Sequence, residues 1–415
     1  MRKDFLSILA ILAALGSLAS CGSNNNDSKA TADNTETASV SEGSDSPEGN
    51  QLLSTTQDNH INTMGAQCSA NIGVIEPFSC LDGEIIPIQV DGVSKTGDDP
   101  LPENCDRPSW LGGSYKSWCQ PNARVGRLPN LDANGLIDDD VQNIFICRRY
   151  TYTQSPKDPY FEDVAIIQHR KSTGDTCFFQ HEPPDLTANP PQKINASRVP
   201  PPAEPADETP DLCPTPSNPN ARCKTAEEFW LPPKEAAAIG CHGCHAAGPF
   251  IRSPYISQVM KNGEPVIYPL SDDPTNNYRF LGSAFSDWNP PQYAAPDHNP
   301  CVACHITGYG KWYARLMAFS VGQLNPPADA PSHCQGSNFY PPFSATAREY
   351  PNSHWMPLGV ASHTTSREEW DALYRESVNQ ALACLPTDPK DAQCMEPITP
   401  HPQGCNVQTF GPTAK

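Results

Sequence analysis

Seventeen cysteines in 415 residues, unevenly grouped, constrain this chain more than any other feature. Four fall in two runs of one form, Cys241-His242-Gly243-Cys244-His245 and Cys301-Val302-Ala303-Cys304-His305. A fifth, Cys21, closes an apolar N-terminal run. Twelve remain: Cys68, Cys80, Cys105, Cys119, Cys147, Cys177, Cys213, Cys223, Cys334, Cys384, Cys394 and Cys405. An even remainder suits a disulfide framework, whose connectivity spacing does not reveal. Proline, at 46 residues, is about twice its ordinary usage. Such a chain is expected to be loop-rich and held by cross-links rather than by one large aliphatic core.

The repeated run is C-x-x-C-H. Its chemistry needs that spacing: two thiols a turn apart form thioethers to the two vinyl groups of one haem, and the adjacent His reaches the iron with a ring nitrogen. The pattern therefore predicts two c-type haems. Cys241 and Cys244 would hold one and Cys301 and Cys304 the other, with His245 and His305 as proximal ligands. Two C-x-x-C pairs also fit a zinc ribbon or a pair of disulfides. A ribbon does not require the His that follows both times, and with only 11 His in the chain two coincidences weigh against it.

Arg2 and Lys3 precede Phe5–Leu15, an apolar run too short to span a bilayer comfortably. It ends in Leu18-Ala19-Ser20-Cys21, which looks like a bacterial lipobox. The resemblance implies cleavage before Cys21 and acylation of that residue, a stable anchor. Gly22 after it implies sorting to the outer membrane. An ordinary signal peptide with an idle Cys21 is the alternative. From Gly22 to about residue 60 the chain is Asn, Ser, Thr, Asp, Glu and Gly, a tether with little to bury. Without the leader's Arg2, Lys3 and Asp4, 26 basic residues stand against 46 acidic, a net charge of −20. That charge repels nucleic acid and anionic lipid, which leaves the lipid anchor as the only membrane contact expected. It is compatible with a basic redox partner or carrier, and equally with simple solubility.

Residues 61–187 read as a β-rich, Cys-containing module. Strands are expected over Gly83–Val90, Val141–Gln154, Asp163–Arg170 and Thr176–Gln180, the last two flanking the turn signal Lys171–Asp175. Residues 188–224 read as a Pro-rich linker in extended polyproline II, pinned if Cys213 pairs with Cys223. In 225–385, Thr225 and Glu228 have capping-box spacing, and Pro233 suits the first position of a helix running into the first motif. Lys311–Val321 is a further helix candidate. The clearest helix spans Arg367–Cys384, capped by Ser366 and Glu369 and ended by Pro386. Residues 386–415 form a Cys-containing tail.

A haem used for electron transfer has two protein ligands, whereas an open position binds small molecules. Met356, in His354-Trp355-Met356-Pro357, is the candidate distal ligand of the second haem, with His354 its neighbour and competitor. At most one of His354 and Met356 is expected to face a given iron. For the first haem His298 is a candidate, three residues before the second motif. Met260, Met317, His333 and His363 remain, as does a five-coordinate iron.

Asn130–Asp138 (NLDANGLID) resembles the front half of an EF-hand calcium loop, with Gly135 at the turn. Position twelve is Val141 rather than Glu, so an acidic surface turn competes with a Ca2+ site.

FWLPPKEAAAIGCHGCHAAGPF (residues 229–250), the second motif and the Met-Pro loop resemble bacterial di-haem c-type cytochromes, in particular cytochrome c family lipoproteins. The two motifs lie closer together than in di-haem peroxidases. The resemblance is confined to the second half of the chain and implies a mainly α, loop-rich di-haem cytochrome c-like module (225–385). With the segments read above, the chain is expected to be α+β: a signal peptide (1–20), a lipidated tether (21–60), a disulfide-stapled β-rich module (61–187), the linker (188–224), that module and the tail (386–415). The function implied is single-electron transfer at the bacterial cell envelope. A haem enzyme with one open site (peroxidase-like or a small-molecule reductase) and a non-redox zinc or disulfide binding module are the alternatives.

Overall fold

The structure, a computed structural model, describes residues 60–90, 93–95, 105, 120–149, 155–181, 193–203, 224–243, 245, 248–252, 254–268, 278–288, 292–296, 307–309, 372, 376–377, 379–385 and 405–409. It is a mixed α+β fold with few helices, centred on a six-stranded sheet. The strands that form it are β1 (Glu84–Ile85), β4 (Arg124–Arg127), β5 (Val141–Arg148), β7 (Asp163–Arg170), β8 (Asp175–Gln180) and β12 (Arg279–Phe280), in the order β1-β4-β5-β7-β8-β12. All neighbours are antiparallel except β12, which runs parallel to β8. The sheet is thus built from residues on both sides of the Pro-rich segment.

The centre of the sheet forms where the sequence is richest in β-branched and aromatic residues. The β7–β8 turn is clamped from outside: Asp140 accepts hydrogen bonds from the Ser172 backbone N–H at 2.8 Å and from its hydroxyl at 2.5 Å. The stretch 83–90 forms two short strands, not one. β1 pairs with β4, and β2 (Ile88–Val90) turns away to pair with β3 (Val93–Lys95). Pro87 lies between them and has no N–H to continue a ladder.

Alternation along the strands divides the sheet into two faces. One carries Val141, Phe145, Cys147, Val164, Ile166, Cys177 and Phe179, which pack against helix α1 (Ile61–Asn71), Phe78 and Trp230. Disulfides Cys68–Cys177 and Cys80–Cys147 staple this face, closing sequence separations of 109 and 67 residues. On the chain-entropy account each is worth about 4–5 kcal/mol. Part of the Pro-rich segment belongs to this layer. β9 (Ile194–Asn195) pairs with β6 (Tyr160–Phe161), Val199 bridges to Phe78, and the Trp230 Nε1–H donates to Pro200 O at 2.9 Å. At Gly65 helix α1 meets this segment so closely that a Cβ would lie 2.3 Å from Pro202 O.

The other face carries Val125 and Ile144, packed with Phe250, Tyr255, Val259, Val266, Ile267 and Tyr268, and Ile167 and Phe178, packed with Tyr278 and Tyr293; all of this cover follows the first C-x-x-C-H run. Arg127 locks this cover. Its guanidinium sits 4.1 Å from the Tyr268 ring centroid and donates to Val266 O and Pro265 O. A separate three-stranded sheet joins β13 (Gln292–Pro296), β14 (Thr307–Gly308) and β15 (Cys405–Thr409), and the Cys384–Cys405 disulfide ties its last strand to the end of a helical segment. In the Arg367–Cys384 stretch, the described residues Ala372, Glu376, Ser377 and 379–383 are helical. The expected helix over Lys311–Val321 lies outside the described residues.

Candidate functional site

Local sequence sets up the first attachment run. Thr225 and Glu228 form the expected capping box on helix α2 (Ala226–Phe229), with Oγ1 accepting from the Glu228 N–H and the Glu228 carboxylate from the Thr225 N–H. Pro233 opens helix α3 (Pro233–Ala238) at a position whose N–H has no helical partner. Gly240, at φ 75°, ends it, a left-handed conformation that costs glycine little. The chain then enters a tight 3-10 turn over Cys241–Gly243, and the His245 N–H donates to Cys241 O at 2.8 Å. Cys241 and His245 are therefore one helical turn apart.

His245 Nδ1 lies 2.8 Å from Pro249 O. A carbonyl only accepts, so Nδ1 carries the proton and, in the neutral ring, Nε2 carries the lone pair. Burial pushes the His245 pKa down to about 4, against the opposing pull of the Pro249 carbonyl and with help from the Arg148 charge. The ring is thus held neutral and in one tautomer, the state an iron ligand needs.

The surroundings are aromatic. The Phe178 ring, on β8, meets the His245 ring at 5.3 Å and 62°. Cys241 packs against the buried cluster of Phe178, Tyr278 and Tyr293, as Phe280 and Trp288 also do. Trp288 faces the His242 ring at 4.5 Å and donates from Nε1 to Ala237 O, fastening the turn to α3. Burial also lowers the His242 pKa, and its Nδ1 is buried with no hydrogen-bond partner among the described residues. One turn presenting Cys241 and an oriented imidazole against an aromatic wall fits a covalently attached haem.

Of the other expected site residues, Cys21, Cys244, His298, Cys301, Cys304, His305, His354 and Met356 lie outside the described residues. Met260 is described and is 49% exposed on a hairpin of β10 (Met260–Lys261) and β11 (Glu264–Pro265). In the calcium-like turn, Asp132 Oδ1 accepts from the Asn134 and Leu136 N–H groups, which hold its pKa below the usual carboxylate range. Asp138 and Asp140 share Arg170 at 3.1 Å each. Among the described residues no group of three or more His, Cys, Asp or Glu is placed to hold a metal ion, and no helix is long and apolar enough to cross a membrane.

Sequence reasoning did not single out Phe178, Trp288, Phe250, Tyr278 or His169. His169 is buried on β7, where burial pushes its pKa down to about 4 against the pull of Asp140 and Asp175. Its alternation with Ile167 was legible, but which layer covers that face was not.

No family model, curated protein or solved structure matches this chain.

Proposed function

We propose that this chain is an envelope-anchored di-haem c-type cytochrome that transfers single electrons. One observation carries the reading: the His245 Nδ1–H···O=C Pro249 hydrogen bond leaves Nε2 as the coordinating nitrogen, one turn from Cys241 in a repeated C-x-x-C-H run. Cys241 and Cys244 form the thioethers of one site, and Cys301 and Cys304 those of the other. His245 and His305 supply the proximal nitrogens, and Met356 the distal sulfur of the second site, with His354 and His298 as weaker candidates. A haem, when bound, supplies a one-electron iron couple. The aromatic wall of Phe178, Phe280 and Trp288 excludes water from the first site, and the Pro249 carbonyl keeps His245 in its ligating tautomer. In this reading residues 225–385 form the cytochrome c-like module. The acylated Cys21 and the tether after it hold the protein at the outer membrane, where its acidic surface meets a basic redox partner.

The test is a pyridine haemochrome assay on the full-length protein purified from a host that attaches haem. Two haems per chain are expected. Cys241→Ala or Cys244→Ala should remove one, and Cys301→Ala or Cys304→Ala the other. A wild-type preparation that holds zinc and no iron overturns the reading.

A further inference from the structure

We infer that the Cys384–Cys405 disulfide is a redox-sensitive latch: a dithiol reductant opens it while the disulfides of the central sheet stay closed, and its opening loosens β13 from the aromatic cluster beside Cys241. The described bridges differ in access. Cys68, Cys177, Cys80 and Cys147, which staple the central sheet, are at most 1% exposed. Cys384 is buried too, but Cys405, the first residue of β15, is exposed on a strand at the edge of its sheet. Reduction starts with a thiolate that reaches one sulfur of the bridge, and exposed bridges are the labile ones. Here a thiolate of the dithiol bonds to Cys405 Sγ, the Cys384–Cys405 bond breaks, and Cys384 leaves as a thiolate that takes up a proton. The second thiol of the reductant then displaces Cys405, which also ends as a thiol, and closes the reductant's own disulfide. Two electrons and two protons pass from the dithiol to the bridge.

The bridge acts on β13 through one end of a ladder. β13 and β15 pair antiparallel from Gln292 opposite Thr409 to Pro296 opposite Cys405, so the bridge lies at the Pro296 end. Neighbouring residues of β13 serve opposite sides of the strand. Ala294 packs with Cys384 and Leu385, and Tyr309 lies against them. Tyr293 packs with Phe178 and Tyr278, the cluster that Cys241 also meets. The layer on the Ala294 side is thin. Among the described residues its buried cluster is Ala294, Cys384 and Leu385, against 23 residues in the cluster that holds the Cys68–Cys177 and Cys80–Cys147 bridges. Hydrophobic stabilisation scales with the apolar area buried, so the covalent tie carries more of the hold on β13 than it does in the central sheet. With the bridge open, the end of the helical segment is joined to β13 by that small cluster, and β15 by its ladder alone.

The experiment treats the full-length protein with graded dithiothreitol under native conditions. Thiols already free are first blocked with iodoacetamide, and those that reduction exposes are labelled with N-ethylmaleimide and located by mass spectrometry of peptides. Cys384 and Cys405 should label together, at least about tenfold faster than Cys68, Cys177, Cys80 and Cys147. Hydrogen exchange on the selectively reduced protein should show lost protection in β13 and β15, with β5 and β7 unchanged. The double variant Cys384→Ser, Cys405→Ser should show the same exchange pattern without reductant. Equal labelling rates at the three bridges overturn the inference, as does a Cys384–Cys405 pair already reduced in the purified protein. Selective opening that leaves the protection of β13 unchanged overturns it too. If the double variant does not fold, the reductant series on the wild type decides.

Discussion

Cys177 and Phe178 are chain neighbours that serve opposite faces of one strand. Cys177 bridges to Cys68 in the layer that contains α1, while the Phe178 ring lies 5.3 Å from the ring of His245. A single peptide unit thus joins the disulfide-stapled layer to the candidate haem site.

Opening that bridge should weaken the whole sheet. Cys177→Ser is expected to cost about 2–5 kcal/mol, since the closed loop is long and its restraint acts on the unfolded chain. Denaturant unfolding of wild type and variant under non-reducing conditions measures it. A wild-type midpoint already equal to that of the variant would show that the bridge does not form.

Phe178 and Phe179 offer a comparison across the strand. Both are buried, Phe179 beside Trp230 and Phe178 beside His245. Either change to Ala should cost about 3–5 kcal/mol. Only Phe178→Ala should also reduce haem retention at the Cys241 site, as read by haem-stained peptides after proteolysis. Equal retention in the two variants would argue that the ring of Phe178 plays no part in the site.

Asp140 should shape the acid limb of stability. Burial opposes its ionisation, but hydrogen bonds from Ser172 and the charge of Arg170 outweigh this and lower its pKa. A carboxylate with a lowered folded pKa contributes stability that is complete above its unfolded pKa, about 4, and that is lost as pH falls through the folded value. Asp140→Asn should therefore destabilise at neutral pH, by about 0.5–1 kcal/mol once solvent screening of this partly exposed carboxylate is allowed for. The difference from wild type should shrink toward zero in strong acid. A pH-independent difference would assign the effect to shape rather than charge.

Met356 makes a separate prediction for the second haem. If it is the distal ligand proposed above, Met356→His should lower one midpoint potential and leave the other nearly unchanged, and Met356→Ala should admit one carbon monoxide per chain. If His354 is the ligand instead, those changes follow His354→Ala, and Met356→Ala leaves the spectrum as it was.

Taken alone, the sequence determined the features that depend on a few adjacent residues. The Thr225–Glu228 capping box, Pro233 opening a helix and the β7–β8 hairpin around Gly174 all follow from local dihedral preferences and spacing, and they form as read. β4 escaped notice because Arg124-Val125-Gly126-Arg127 is short and charged. Among the described residues its arginines donate to carbonyls distant in the chain, Gly83 O for one and Val266 O for the other. Alternation showed that Cys177 and Phe178 must point apart, but no local rule says which side meets residues 241–250. That choice, the pairing of Cys68 with Cys177 and the placing of His169 beside Phe250 were decided only by tertiary structure. They depend on contacts between residues tens to more than a hundred positions apart, whose energy comes from burying two faces of one sheet at the same time.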